Sequence, residues 1–172
     1  PTSTLSNPLL RRYISMYHAH QRFQDVGDML EAAGLKVARR SSALTHDLAL
    51  KAETECDVLL GDSMGEMYFY LGLCDRAIVG GGFVPKGAHN IIEPLALRKP
   101  VIVGPHIWTI TYPVVEAIKA GVCTMTPTST ALVDAVINPA TISEAQISAF
   151  YEEHAGGVSR TLAALYALQP RY

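Results

Sequence analysis

Two glycine-containing segments carry the side chains that could do chemistry, and each joins a short apolar run to a helical pattern. The longer segment covers residues 80–93 and reads Gly-Gly-Gly-Phe-Val-Pro-Lys-Gly-Ala-His-Asn-Ile-Ile-Glu. Its first three glycines allow the backbone to approach a ligand without a Cβ clash, and the amides that open the next helix favour a phosphate. Glu93 could accept hydrogen bonds from two ribose hydroxyls. A capping pair of Asn90 and Glu93, with glycines that only turn the chain, explains the segment equally well.

The shorter segment covers residues 61–67 and reads Gly-Asp-Ser-Met-Gly-Glu-Met. Asp62 or Ser63 is expected to cap the helix that follows, and Gly65 allows another group to pass close to the backbone. Taken by itself, a capped helix is the better interpretation, because Glu66 in the first turn suits the helix dipole.

Several well-known catalytic and binding motifs are absent. Lys86 is followed by Gly87 rather than Ser or Thr, which excludes a Walker A loop, and a dinucleotide fingerprint would place its third glycine at Pro85. The chain contains no Gly-x-Ser-x-Gly elbow of a hydrolase. No two histidines have the i, i+4 spacing of a zinc-binding helix. We therefore predict no metal and no cofactor, and interpret Trp108 as a cleft-wall or packing residue.

Short β-branched runs alternate with helical patterns along the whole chain. Strands are predicted over residues 14–17, 35–38, 56–60, 76–79, 101–103 and 122–125. Helices are predicted over residues 21–33, 64–74, 89–98, 113–120, 131–137, 143–153 and 154–168. Residues 41–55 are expected to form a long loop or a short irregular helix, and Gly34 and Gly121 are expected to end helices in the left-handed conformation.

This alternation predicts an α/β fold. Strands that are continuously apolar are buried on both faces, so we expect a doubly wound parallel sheet of about six strands with helices on both faces and further helices at the C-terminus. In such a Rossmann-like domain, ligands bind at the carboxyl ends of the strands. Both glycine-containing segments follow strands and therefore belong to that edge.

Composition excludes several classes of protein. The 172 residues suit a single domain, and a chain that is 49% hydrophobic and 17% charged is not disordered. No apolar run is long enough to span a bilayer. A net charge of −2 does not indicate the basic surface that is typical of nucleic-acid-binding proteins. Cys56, Cys74 and Cys123 form no C-x-x-C pair and are interpreted as reduced core thiols. A start at Pro1, without Met or a signal sequence, is expected of a fragment of a longer protein.

Four segments in register resemble a known enzyme family. They cover residues 61–67, 80–84, 87–94 and 100–106. Together they resemble the C-terminal half of the 3-deoxy-D-manno-octulosonic acid (Kdo) transferases. These are GT-B glycosyltransferases that move Kdo from CMP-Kdo to a lipid A precursor. The resemblance runs from about Phe23 to the C-terminus.

The resemblance implies binding roles for individual residues. Those that match family segments in contact with CMP are Met64, Gly65, Glu66, Asn90, Ile91, Ile92 and Glu93. The family also carries Pro-Arg-His-Pro after its first strand in this half. Here His18 stands in place of the Arg that meets the nucleotide phosphate, and Ala19 in place of the His. A neutral imidazole cannot form the two parallel hydrogen bonds that an Arg guanidinium makes to a phosphate.

The resemblance thus implies that residues 1–172 form a single nucleotide-sugar-binding domain, the Rossmann-like half of a GT-B enzyme of lipopolysaccharide biosynthesis. The inverting reaction would use a catalytic Glu of the N-terminal half, so no catalytic residue is assigned here and the chain alone is expected to be inactive. Its parent is expected at the cytoplasmic face of the inner membrane, with membrane contact and lipid A precursor binding mainly outside this chain. The alternative, motivated by His18 and Ala19, is a nonenzymatic Rossmann-like module that binds another nucleotide or a protein. An NAD dehydrogenase ranks third.

Overall fold

The computed structural model describes residues 22–52 and 55–168, together with the backbone of residues 13–16. Within these residues the strands are β1 (Tyr13–Met16), β2 (Val37–Arg39), β3 (Val58–Leu60), β4 (Arg76–Val79), β5 (Val101–Val103) and β6 (Cys123–Met125). The helices are α1 (Phe23–Ala32), α2 (Arg40–Ala43), α3 (Met67–Leu73), α4 (Ile92–Ala96), α5 (Thr111–Lys119), α6 (Ser129–Ile137), α7 (Glu144–His154) and α8 (Gly157–Leu168).

The described residues divide into two compact units. Residues 22–74 belong to the first unit and residues 75–168 to the second, which also includes most of β1. The four-stranded sheet has the order β1-β4-β5-β6, and β2 and β3 pair with each other in a separate sheet.

The first unit is built on the parallel pair β2 and β3. Val37 lies opposite Val58, and Arg39 lies opposite Leu60. Helices α1 and α2 both contact β2. Gly34, at a φ of +82°, ends α1 in the left-handed conformation as predicted. The described part of the connection from β2 to β3 contains the four-residue α2 followed by irregular chain.

The second unit has the more deeply buried sheet. Strand β4 pairs with β5, and β5 with β6, all in parallel. Val101, Ile102 and Val103 of β5 are fully buried, which confirms that the continuous apolar run is covered on both faces. Helix α5 contacts β6, and α4 packs on α7.

The α/β class with parallel strands flanked by helices is confirmed, but the sheet is smaller than predicted. Its main sheet has four strands rather than about six, because β2 and β3 pair only with each other. All three residues of β3 are only partly buried, whereas those of β5 are completely buried. Apolar composition alone does not separate these two environments.

Helices α3 and α4 are shortened the most relative to the sequence pattern. Helix α3 covers Met67–Leu73 rather than residues 64–74, and α4 covers Ile92–Ala96 rather than 89–98. Arg98 adopts a left-handed φ of +59° just beyond α4, which stops that helix. No helix among the described residues has both the length and the apolar character needed to cross a membrane.

Candidate functional site

The first candidate segment lies at the carboxyl edge of the β2–β3 pair. Because Arg39 is opposite Leu60 in parallel strands, Arg40 and Gly61 leave the sheet side by side. This is the edge at which parallel α/β sheets bind ligands. Residues 61–66 form a loop here and carry Ser63, Gly65 and Glu66 towards the start of α3.

The Glu66 carboxylate is held by three neighbouring side chains. Arg40 donates from Nε to Oε2 at 2.8 Å and pairs through Nη2 with Oε1. The Ser63 hydroxyl also donates to Oε2, and the Tyr70 hydroxyl lies 3.4 Å from the same atom. The Arg40 and Glu66 side chains are only 13% and 18% exposed. The ion pair is therefore a largely buried part of the fold.

These contacts set the protonation state of Glu66. Burial by itself raises the pKa of Glu66, but the hydrogen bonds from Ser63 and Arg40 and the charge of Arg40 outweigh it and leave that pKa lowered. Burial, together with the Glu66 charge, raises the pKa of Tyr70. At neutral pH the cluster therefore consists of an ionised carboxylate, a guanidinium and a neutral phenol.

The expected cap on α3 is wrong. Glu66 occupies the N-cap position of α3 and no side chain caps the helix there. Asp62 instead accepts hydrogen bonds from the Ser41 backbone N–H at 2.8 Å and the Ser41 hydroxyl at 2.5 Å. The Ser63 hydroxyl is used by Glu66. Asp62 thus ties the loop to Ser41, and Ser63 is bound within the loop, so neither is free to cap.

Met64 and Gly65 border open space. Gly65 has a φ of +84°, and a Cβ built on it would meet nothing within 4 Å. The Met64 side chain is 55% exposed. The segment therefore borders open space here, and its contact with a ligand stays a prediction.

The second candidate segment is closed against the loop that follows β5. A Cβ on Gly81 would lie closer than 3.0 Å to the carbonyl oxygen of Gly87, and one on Gly104 equally close to that of Gly82. His106 donates its backbone N–H to the Gly82 carbonyl at 3.0 Å. The glycines here thus permit a close approach between two loops of the protein itself.

Asn90 and Glu93 do not form the reciprocal capping pair. The backbone N–H of Ile92 donates to Asn90 Oδ1 at 2.9 Å. Ile91 is fully buried, whereas Ile92 is 47% exposed. Within the described ranges the Glu93 carboxylate makes no hydrogen bond or ion pair, so it is available to a ligand. Because α4 has only five residues, its dipole contributes less to phosphate binding than the sequence suggested.

The predicted site residues are divided between the two units. Met64, Gly65 and Glu66 lie in the first unit, and Asn90, Ile91, Ile92 and Glu93 lie in the second. His18 lies outside the described residues.

Sequence reasoning missed Arg40 and Tyr70. Arg40 directly follows β2 at the ligand-binding edge of a parallel pair, which is a signal for a site residue. Tyr70 follows Glu66 by four positions, the spacing of side chains that meet along a helix.

Other reactive side chains of the described regions lie apart from these contacts. No three His, Cys, Asp or Glu residues there form a group that could hold a metal ion. Burial raises the pKa of Cys123 to about 12 and, with the charge of Asp57, raises that of Cys56. Both thiols are therefore neutral and poorly nucleophilic. Trp108 is 55% exposed, edge-on to His106 with ring centroids 5.2 Å apart, and so is not a core packing residue.

The chain is similar in sequence to curated enzymes of one kind. It is 41% identical over 152 residues to the 3-deoxy-D-manno-octulosonic acid transferase of Bordetella pertussis, a match that covers 84% of this chain and 34% of the relative. The same-named transferase of Haemophilus influenzae is 36% identical over 151 residues, covering 83% and 34%. The chain thus spans about a third of the length of these relatives. No family model matches.

A solved structure has the same fold. It is the crystal structure of the C-terminal CMP-Kdo binding domain of WaaA from Acinetobacter baumannii. The TM-score is 0.66 at 27% sequence identity, and the match covers 78% of this chain and 68% of that one. Sequence and fold comparisons therefore lead to the same group of proteins.

Proposed function

We propose that the chain is the domain of a 3-deoxy-D-manno-octulosonic acid transferase that binds the sugar donor CMP-Kdo, because it is similar in sequence to such enzymes and in fold to a domain of one of them. The observation that carries this proposal is the match over most of the chain to a domain described as CMP-Kdo binding. The loop at the carboxyl edge of β2 and β3 supports it, because ligands of parallel α/β sheets bind at that edge.

In this proposal both candidate segments contribute residues to donor binding, and each segment is considered within its own unit. The candidates of the first unit are Met64, Gly65 and Glu66, and those of the second unit are Asn90, Ile91, Ile92 and Glu93. Glu93 is suited to accept hydrogen bonds from vicinal ribose hydroxyls, because its carboxylate has no partner among the described side chains. Asn90 orders the approach to Glu93 through its bond to the Ile92 amide.

The reaction proposed for the whole enzyme is inverting transfer of Kdo to a lipid A precursor at the inner membrane. An acceptor hydroxyl loses its proton to a base and attacks the anomeric carbon, while the bond from that carbon to the phosphate oxygen of CMP breaks. The base is proposed to lie outside this chain. This domain then holds the departing CMP and stabilises the charge that develops on its phosphate.

Calorimetric titration of the 172-residue chain with CMP tests the proposal. We expect CMP to bind, and to bind about tenfold more weakly to Glu93→Gln, because a hydrogen bond to a charged acceptor is lost. Glu152→Gln, at an exposed position of α7, is the matched control and should bind as the wild type does.

A panel of CMP, UDP, ATP and NAD separates the proposal from its alternative. A preference for a nucleotide other than CMP favours a nonenzymatic nucleotide-binding module. Absence of CMP binding at millimolar concentration, or equal affinity of wild type and Glu93→Gln, contradicts the proposed site.

A further inference from the structure

Among the described residues, the Arg40 guanidinium uses only one of its two hydrogen-bonding edges. A guanidinium is a planar fork with five N–H donors. Nε faces Oε2 of Glu66 at 2.8 Å, and Nη2 faces Oε1. This side-on pairing leaves the end-on edge, formed by Nη1 and the outer N–H of Nη2, without a partner among the described residues.

The Nη1 end of that edge is not completely buried, although most of the side chain is enclosed. The described residues contain no side-chain nitrogen or oxygen that is both buried and without a hydrogen-bond partner. Nη1 is therefore not buried, while the Arg40 side chain as a whole is only 13% exposed. A fork that is held this firmly loses little rotamer freedom when a ligand binds.

The position of Arg40 suits a ligand contact. It directly follows β2, so it stands at the carboxyl edge of the β2–β3 pair, next to the loop that starts at Gly61. A Cβ added to Gly65 of the same loop would meet open space. Ligands of parallel sheets bind at this edge, and all of these residues belong to the first unit.

The charges around Arg40 balance. Glu66 neutralises Arg40 directly. Asp62 and Lys51 carry opposite charges, and both contact Ser41. Asp62 accepts a hydrogen bond from the Ser41 hydroxyl, and Lys51 Nζ donates one to the Ser41 carbonyl at 3.3 Å. Because the four charges sum to zero, an anion is not repelled. Its binding then depends on the geometry of the free N–H groups, which matches the oxygens of a phosphate or a carboxylate.

We infer that the end-on edge of Arg40 binds an anionic oxygen group of the donor, and that Glu66 acts as the residue that positions Arg40. This inference rests on the proposed function, because CMP-Kdo carries both anions that the edge fits, a phosphate and a carboxylate. Glu66 then contributes to donor binding indirectly, by holding Arg40 in place. This adds a positioning role to the one proposed for its segment.

Titration of three ligands into matched variants tests the inference. Cytidine has neither anion, CMP has the phosphate, and CMP-Kdo has both. We expect Arg40→Gln to bind CMP roughly tenfold or more weakly, the loss typical of a charged hydrogen bond, with cytidine affinity unchanged. Arg39→Gln is the control, since the neighbouring Arg39 side chain pairs with Asp28 and Glu31 on α1.

The ligands also distinguish the source of the anion. Loss of affinity for CMP assigns the phosphate. Loss for CMP-Kdo with unchanged CMP affinity assigns the carboxylate. Should Arg40→Gln fail to fold, Arg40→Lys serves instead, because it keeps a positive charge beside Glu66 without the fork. It should weaken binding of the anionic ligand while cytidine binding stays at the wild-type level.

Three outcomes overturn the inference. Unchanged affinity of the variants for CMP and for CMP-Kdo, or an equal loss for cytidine and CMP, leaves Arg40 a structural residue while the proposed donor binding stands. If the wild-type chain binds none of the three ligands, the proposed function fails and the inference fails with it.

Discussion

The two glycine-containing loops look alike in sequence but hold their glutamates differently. In the first unit, Glu66 is bound by Arg40, Ser63 and Tyr70 and is only 18% exposed. In the second unit, the carboxylate of Glu93 has no such partner among the described residues. A glutamate at the start of a helix is therefore an anchor in one loop and an available acceptor in the other, and only its three-dimensional neighbours distinguish the two roles.

The backbones of the two loops differ in the opposite sense to their glutamates. Gly65 and Gly81 have the same φ of +84°. Nothing lies within 4 Å of a Cβ on Gly65, whereas one on Gly81 would press against the Gly87 carbonyl oxygen. The first loop is thus open around a fixed carboxylate, and the second is tightly packed around a free one.

The largest expected effect comes from replacing these two glycines by alanine. Gly65→Ala should cost only the left-handed strain, about 1–2 kcal/mol. Gly81→Ala carries the same strain and also collides with a backbone oxygen that cannot rotate away, so we expect about 3 kcal/mol or more. Urea unfolding of both variants measures the difference. Equal losses would show that the second loop is not packed more tightly than the first.

The next effect compares the two glutamates. Glu66→Gln removes the charge that compensates a largely buried Arg40, and we expect it to lower the free energy of unfolding by about 2–3 kcal/mol. Glu93→Gln should change it by less than about 0.5 kcal/mol. Thermal and urea unfolding of the pair provide the test. A similar loss in both variants would remove the distinction between anchor and free acceptor.

Features encoded by neighbouring residues could be predicted from the sequence. The bounds of β4 and β5 match the prediction, because each contains three consecutive apolar residues followed directly by a glycine. The left-handed φ values of Gly34 and Gly121, +82° and +72°, were also expected, since few other residues end a helix in this way. The resemblance to the Kdo transferases rests on local motifs of the same kind.

Features that depend on distant residues could not be predicted. Arg40 and Glu66 are 26 positions apart, and no local pattern reveals that their side chains meet. The Glu66 carboxylate also accepts a hydrogen bond from the Ser63 hydroxyl, so Ser63 does not form the helix cap that the local pattern favoured. The separation of β2 and β3 from the main sheet likewise reflects tertiary pairing, whereas strand propensity reports only that each run can be extended.

The smallest expected effect is the pH dependence that the Glu66 anchor adds to stability. Its pKa is lowered in the folded chain, so at acidic pH the unfolded state binds the proton first. Stability from this group is complete above the unfolded value of about 4.3 and declines as the pH falls through the lower folded value. The difference in unfolding free energy between wild type and Glu66→Gln should therefore be constant near neutral pH and shrink below about pH 5. A Glu66→Gln difference that stays constant down to pH 3 would mean that Arg40 and Ser63 do not stabilise the charged carboxylate, and the contrast between the two loops would then be one of packing alone.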